Sequence, residues 1–209
     1  MNLASILGLA LAVFGGSADS STEQPVYSVV EKTGAIEFRA YGPRLAAEVT
    51  VAGGEEAARN DGFRKIAGYI FGGNTARAQV AMTAPVVQAG AARSQQIAMT
   101  APVVQSSDAA GAWTIQFIMP AKYTRASLPA PTSPEIRIVD VPAQTYAVLR
   151  FSGARDSAAM ARRTAELIAA LKGGPWRISG EPIAWFYDPP WTLPAFRRNE
   201  VAVAVARAP

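Results

Sequence analysis

The stretch QVAMTAPVVQ, from Gln79 to Gln88, is repeated almost unchanged as QIAMTAPVVQ from Gln96 to Gln105, and WTIQFIMP follows from Trp113 to Pro120. The two copies differ only at Val80 and Ile97. Each copy is uncharged, rich in apolar residues and bounded by turn-forming residues, a pattern typical of buried strands. The stretch therefore predicts three consecutive strands, and with them a fold built around a β-sheet.

The repeat also predicts how its two copies meet. A hairpin closing over residues 89–95 would pair them in antiparallel register. Met82 and Met99 would then each face an alanine of the other copy. Because Pro85 and Pro102 cannot donate to a hydrogen-bond ladder, each copy must bulge or lie at an edge at its proline.

The rest of the chain alternates predicted strands with two predicted helices. Glycine pairs punctuate the first helix, which starts after Gly53-Gly54 and stops at Gly72-Gly73. The second is expected from about Arg155 to Leu171. Turns are expected at Gly42-Pro43 and Pro142-Ala143. Further strands are predicted at residues 36–39, 45–51, 136–141, 146–151, 181–187 and 200–205.

An internal duplication accounts for this order. VTVAG at Val49–Gly53 and LRFSG at Leu149–Gly153 occupy equivalent places, each just before a helix. Each strand-strand-helix-strand-strand unit alone would leave an apolar sheet face uncovered. We therefore predict one α+β domain in which both units share a sheet system and both helices pack against it.

Composition excludes several classes of function. The 209 residues are 50% hydrophobic, enough for a sizeable core, and 20 basic against 16 acidic residues give a formal charge of +4. The basic residues form no run interleaved with aromatics, so no nucleic-acid partner is expected. There is no cysteine and no histidine, which excludes disulfides, Cys/His zinc sites and Ser-His-Asp catalysis. No catalytic constellation stands out, so an enzyme is not favoured.

The first residues have the character of a leader. Leu3–Phe14 is apolar, and the small residues Gly15–Ala18 follow. The run is too short for a stable membrane span, and it lacks a basic n-region. We predict that residues 1–22 form a signal peptide or N-terminal tail and that the protein is exported to a periplasm. The alternative is the N-terminal segment of a cytoplasmic protein.

Three motifs together resemble the SOUL haem-binding protein family: the doubled AMTAPV, FIMP at Phe117–Pro120, and YDPPWTLPAFRRNEV at Tyr187–Val201. The resemblance makes residues 23–209 a SOUL-like haem-binding domain. It implies a distorted antiparallel β-barrel flanked by two helices. It also implies that the ligand is haem or a related tetrapyrrole, a small hydrophobic planar molecule, held in a groove beside the first helix.

The same resemblance suggests site residues. Basic side chains of the first helix would hold the propionates, although a solvated helix face explains them equally well. The runner-up for this role is the pair Arg197 and Arg198, unless they only stabilise Asp188 or Glu200. The ligand-binding residues we predict are Arg59, Phe63, Arg64, Lys65, Tyr69, Met82 and Met99.

Without histidine, any bond to iron would fall to tyrosine or methionine, or less usually lysine. We expect hydrophobic binding with a weak iron ligand or none. The candidates for an iron ligand are Tyr41, Tyr69, Tyr123, Met82 and Met99.

The predicted function is to buffer or carry this ligand. One alternative is a haem-processing enzyme that removes iron. Another is a small-molecule sensor or protein-interaction module, because the duplicated fold resembles the ligand-binding domains of bacterial drug-sensing regulators. Trp191, Leu193 and Phe196 are predicted to form a lid folded onto the core, or else a wall of the groove.

Overall fold

The computed structural model describes residues 23–76, 80, 84–90, 112–188 and 191–208. The predicted leader and the second copy of the repeat lie outside these residues. The described elements are β1 (Tyr27–Thr33), β2 (Ile36–Tyr41), β3 (Arg44–Ala52), α1 (Glu55–Ile70), β4 (Val86–Gly90), β5 (Ala112–Ile118), β6 (Arg137–Val141), β7 (Gln144–Phe151), α2 (Ser157–Leu171), β8 (Trp176–Phe186) and β9 (Asn199–Arg207), with a 3₁₀ turn at Pro194–Phe196.

All nine described strands belong to one antiparallel sheet with the order β1-β2-β7-β9-β8-β4-β5-β3-β6. The predicted α+β class is confirmed. Among the described strands the sheet is not closed, and β1 and β6 are its two edges. From β2 to β6 the order is symmetrical, because β7, β9 and β8 on one side match β3, β5 and β4 on the other. This symmetry accords with two joined units, while the duplication itself stays a prediction.

Two short connections force the sheet to bend. Gly42-Pro43 joins β2 to β3, and Pro142-Ala143 joins β6 to β7, yet the joined strands are far apart in the sheet order. Consecutive Cα atoms are about 3.8 Å apart, so the Cα atoms of Tyr41 and Arg44 lie within about 11 Å of each other. The outer strands of the two halves must therefore approach one another. The turns themselves lie where the sequence predicts them.

The predicted hairpin between the two repeat copies is wrong for residues 86–89. Val86 is paired with Phe117 of β5 on one side and with Phe186 of β8 on the other. Both hydrogen-bonding edges of β4 are thus occupied by strands from outside the repeat. The prediction that Met82 and Met99 each face an alanine of the other copy falls outside the described residues.

Both helices cover the same face of the sheet, through an apolar stripe on each. α1 begins after Gly54, and Glu55 and Glu56 in its first turn favour the helix dipole. α2 begins at Ser157 because the Asp156 side chain accepts a hydrogen bond from the Ala159 backbone N–H at 2.9 Å. Neither described helix has the length and apolar character needed to cross a membrane.

No helix of the described residues covers the other face of the sheet, yet much of it is buried. The alternation in Ile36–Arg39 predicts a strand whose polar face meets water. That expectation is wrong, because Arg39 is only 3% exposed and both faces of β2 are covered. The bend turns part of this face inward, so Arg39 and Glu200 lie inside the molecule. We call it the helix-free face.

Candidate functional site

A large cleft opens where the two edges of the sheet meet. Its volume is about 760 Å³, within the range of about 300–1,000 Å³ typical of small-molecule sites. Tyr27 and Ser28 of β1 form one wall, and Asp140 and Val141 of β6 form the other. The cleft is therefore a product of the open, bent sheet.

The remaining lining of the cleft is mainly apolar. Ile118, Met119 and Leu45 contribute aliphatic and thioether surface, and the ring of Tyr123 lies beside them. Such side chains suit a flat apolar ligand because methionine adapts its shape and aromatic rings stack. Arg125, also in the lining, donates to Asp140 at 2.6 Å and to the Ile138 carbonyl at 2.9 Å.

Three aromatic rings meet beneath the cleft on the helix-free face. The ring centroids of Tyr41 and Trp185 lie 5.5 Å apart, and that of Tyr146 lies 6.0 Å from Tyr41 and 5.3 Å from Trp185. All three pairs meet edge to face. Burial raises the pKa of Tyr41 to about 12 and also raises the pKa of Tyr146. Both phenols are therefore neutral at physiological pH.

Arg44 joins this aromatic group to the cleft. Its guanidinium carbon lies 4.5 Å from the centre of the Tyr41 ring, and burial lowers its pKa. A small pocket of about 30 Å³ lies between Arg44 and the aromatic rings. It shares Pro25, Arg44, Ile118 and Val141 with the cleft, so the two cavities are neighbours.

A second polar group on the helix-free face is fully satisfied. Glu200 is 0% exposed and accepts from Arg39 Nη1 at 2.8 Å, from the Tyr187 hydroxyl at 2.7 Å and from Arg198 Nε at 3.0 Å. Arg39 also donates to Glu37 at 2.8 Å. Two arginines and two glutamates neutralise one another, so each buried charge of this network has a counterion.

The apolar residues predicted on α1 are used in packing. Tyr69 is 1% exposed, and its hydroxyl donates to the Pro129 carbonyl at 2.8 Å. The Phe63 ring lies 5.4 Å from the ring of Phe117 in β5. Both side chains contribute to the core between α1 and the sheet.

The basic residues predicted on α1 point in different directions. Arg59 is 7% exposed, lies over the Phe186 ring at 4.7 Å and donates to Gln88 at 3.4 Å. Arg64 is exposed and pairs with Asp61 at 3.0 Å. Lys65 pairs with Asp61 at 3.3 Å and with Glu135 at 3.1 Å. The structure thus separates one buried cation from two that meet solvent.

None of these five α1 residues lines the cleft or the smaller groove of about 430 Å³ between the start of α1 and α2. Met82 and Met99 lie outside the described residues. Among the candidates for an iron ligand, Tyr123 lines the cleft and Tyr41 the small pocket. The binding roles of the five α1 residues, the two methionines and these tyrosines remain predictions.

The loop after β8 does not fold onto the core as predicted. Trp191, Leu193 and Phe196 are 82%, 65% and 76% exposed. The loop is held by main-chain bonds, such as the 2.8 Å bond from Gly153 N–H to the Pro194 carbonyl. Arg198 stabilises Glu200, the structural role that the sequence offers as the alternative to ligand binding.

Sequence reasoning missed Arg44 and the role of the helix-free face. The available signal was the pair of two-residue turns, at Gly42-Pro43 and Pro142-Ala143, between strands that do not pair with each other. Each turn carries side chains of the strand ends towards one point. Periodicity within a single strand does not reveal that convergence.

Comparison with known proteins identifies the family. The model of the SOUL heme-binding protein family matches residues 22–204. The chain belongs to this family. The match spans both halves of the sheet and thus includes the cleft. No protein in a comparison with curated sequences matches this SOUL family member.

Solved structures share the fold at low sequence identity. The C-terminal domain of EcmrR superposes with a TM-score of 0.60 at 10% identity, covering 88% of this chain and 99% of that one. EcmrR in a complex with DNA gives 0.61 at 10% identity, covering 83% of this chain, which spans only 57% of the EcmrR chain. A hydrolase from Listeria innocua gives 0.56 at 11% identity, covering 82% and 91%. These likenesses concern the fold alone.

Proposed function

We propose that this SOUL family member binds haem or a related tetrapyrrole in the cleft between β1 and β6 and thereby buffers or carries it. The observation that carries the proposal is the 760 Å³ cleft with an apolar lining in a chain of a haem-binding family. Export of the protein, as its first residues predict, would place this activity outside the cytoplasm.

The residues of the cleft fit a tetrapyrrole. Ile118, Met119 and Leu45 offer soft apolar surface to the macrocycle, and Tyr27 and Tyr123 offer rings. Burial of several hundred Å² of porphyrin yields on the order of 10 kcal/mol at about 25 cal/mol per Å². Ordering costs remove part of this, which leaves micromolar affinity within reach without a bond to iron.

The iron ligand, where there is one, is better sought in the cleft than on α1. A tyrosine binds ferric iron as phenolate, and burial raises the pKa of both Tyr41 and Tyr69 to about 12. The Tyr69 hydroxyl also already donates a hydrogen bond to the Pro129 carbonyl. Tyr123 lines the cleft itself, so we propose that it is the one of these tyrosines that approaches the iron.

The proposal is tested by titrating the purified protein with haemin and following the Soret band. Ser28→Trp places a bulky ring on the cleft wall and should weaken binding about tenfold or more. Val30→Trp, two residues along the same exposed strand and outside the cleft lining, is the matched control and should bind like the wild type.

A second pair of variants separates the cleft from the groove beside α1. If the propionates lie at α1, Arg64→Ala with Lys65→Ala weakens binding of haemin more than that of an uncharged porphyrin ester. We expect this double variant to leave both affinities unchanged. Selective loss in the double variant, with Ser28→Trp binding normally, would move the site to α1. No saturable Soret shift at tens of micromolar would reject haem binding altogether.

A further inference from the structure

Two buried donors inside the bent sheet have no partner. Arg44 Nε and Trp185 Nε1 form no hydrogen bond, and no other buried side-chain nitrogen or oxygen in the part of the chain described here shares that condition. Trp185 is only 3% exposed. Folded proteins rarely leave such donors unsatisfied. Two of them together point to an acceptor that the described part of the chain does not supply.

Both donors line the same small pocket beneath the cleft. Its volume of about 30 Å³ suits one small polar group or a single water molecule. Because the pocket shares Pro25, Arg44, Ile118 and Val141 with the cleft, a ligand in the cleft has a polar recess next to it. The rest of the wall consists of the rings of Tyr41 and Tyr146, the polar side chain of Gln116, and the apolar residues Pro85, Val87 and Ile183.

The recess carries the positive charge of Arg44, and no carboxylate of the described residues pairs with it. In the described ranges Arg44 takes part in no ion pair, and its guanidinium meets only the π face of Tyr41 and the hydroxyl side of Tyr146. Burial lowers the pKa of Arg44, so its charge gains from an anion. Three carboxylates of the sheet are already bound to other arginines: Glu48 to Arg137, Asp140 to Arg125 and Glu200 to Arg39.

The chemistry of the donors selects the acceptor. A guanidinium N–H and an indole N–H can only donate, so the group that enters must offer acceptor oxygens. A carboxylate offers two oxygens in one plane, and its hydrogen bond to a guanidinium is charge-assisted. A cationic group, which bare aromatic rings would attract, is repelled here by Arg44.

We propose that Arg44 and Trp185 bind the carboxylate of an apolar acid whose body lies in the cleft. For a tetrapyrrole that group is a propionate, and only this identification rests on the function proposed above. For any other apolar acid, the same two donors hold its carboxylate.

The first test uses 1-naphthoate and its uncharged counterpart 1-naphthamide as probes of the full chain. The protein has four tryptophans, so its ¹⁵N–¹H spectrum has four indole signals, and loss of one in Trp185→Phe identifies that of Trp185. We expect saturable 1-naphthoate binding that shifts the Trp185 signal, and at least tenfold weaker binding of the amide.

Variants then assign the contacts. Arg44→Met keeps the unbranched stem of the side chain but removes the guanidinium, and it should reduce 1-naphthoate affinity about tenfold or more. Trp185→Phe removes the indole N–H, keeps a smaller aromatic ring and should reduce the affinity severalfold. Trp113→Phe is the matched control, because the Trp113 indole N–H already donates to the Gly53 carbonyl at 3.1 Å. A dispersed amide spectrum shows that each variant is folded.

The outcomes separate this proposal from haem binding. If the Trp185 signal does not move, or acid and amide bind equally, the donors bind water only and the proposal fails. A shift with 1-naphthoate but no haemin binding supports the carboxylate pocket and rejects the tetrapyrrole. If haemin and its dimethyl ester bind equally well to the wild type and to Arg44→Met, haem binding stands and the assignment of a propionate to this pocket is refuted.

Discussion

The packing around Gly62 shows how closely α1 lies on the sheet. A Cβ atom added at Gly62 would lie 2.8 Å from Cβ of Ile115 in β5 and closer still to Cγ1. Real Cβ atoms do not approach so closely, and Ile115 Cβ is fixed to its backbone. The Gly62→Ala variant must therefore displace the helix or the strand.

The magnitude follows from two opposing effects. Overpacking a core costs about 1–3 kcal/mol. Replacing glycine by alanine within a helix gains about 1 kcal/mol. The free energy of unfolding should thus fall by about 0–2 kcal/mol in Gly62→Ala. Gly68 is the matched control in the same helix, because a Cβ there meets no atom within 4 Å. Gly68→Ala should gain the full helical term of about 1 kcal/mol.

Urea denaturation followed by circular dichroism measures both variants. The expected difference between them is about 1–3 kcal/mol in favour of Gly68→Ala. Equal stabilisation of the two variants would refute the close contact between α1 and β5. The result also bears on function, since a helix seated directly on Ile115 leaves no room for a planar ligand at that point. Haemin affinity of Gly62→Ala should equal that of the wild type.

Two further predictions concern the buried charges and phenols. Glu200→Gln removes the fully buried carboxylate that Arg39 and Arg198 share, leaves Glu37 as the one carboxylate of that network, and should lower the free energy of unfolding by about 3–5 kcal/mol. Glu166→Gln in an exposed pair should change it by under about 0.5 kcal/mol, and similar denaturation midpoints for both would contradict the buried network. Burial raises the pKa of Tyr41 and Tyr69 to about 12, so the contribution of these two phenols to stability should be constant below about pH 10, where unfolded tyrosine ionises, and should be lost as the pH rises towards 12. Tyrosinate absorbance that rises fully near pH 10 in the folded protein would overturn this expectation.

The local elements were largely predictable from the sequence. Helix α1 begins and ends at its glycine pairs, and β3 and β7 precede their helices as the matched VTVAG and LRFSG segments predict. These features depend on the turn and cap preferences of neighbouring residues, which can be identified from the sequence. The family followed from long, ordered motifs.

The partners of each strand were not predictable in this way. β4 resembles its repeat copy, yet it pairs with β5 and β8, because pairing is decided by which strands the whole sheet brings alongside. The predicted lid failed for a similar reason: apolar rings in the loop at Trp191 gain nothing unless a surface lies within reach, and main-chain bonds hold the loop away from one.

Sequence by itself therefore determined the two helices, most of the strands and the family, since these are encoded in short-range patterns. The tertiary structure alone decided the site. Two-residue turns draw distant strands together, bury Arg39 beside Glu200 and bring Arg44 into one pocket with Trp185. Such proximity arises from the bend of the sheet. The local sequence around one of these side chains does not indicate which distant side chain it will meet.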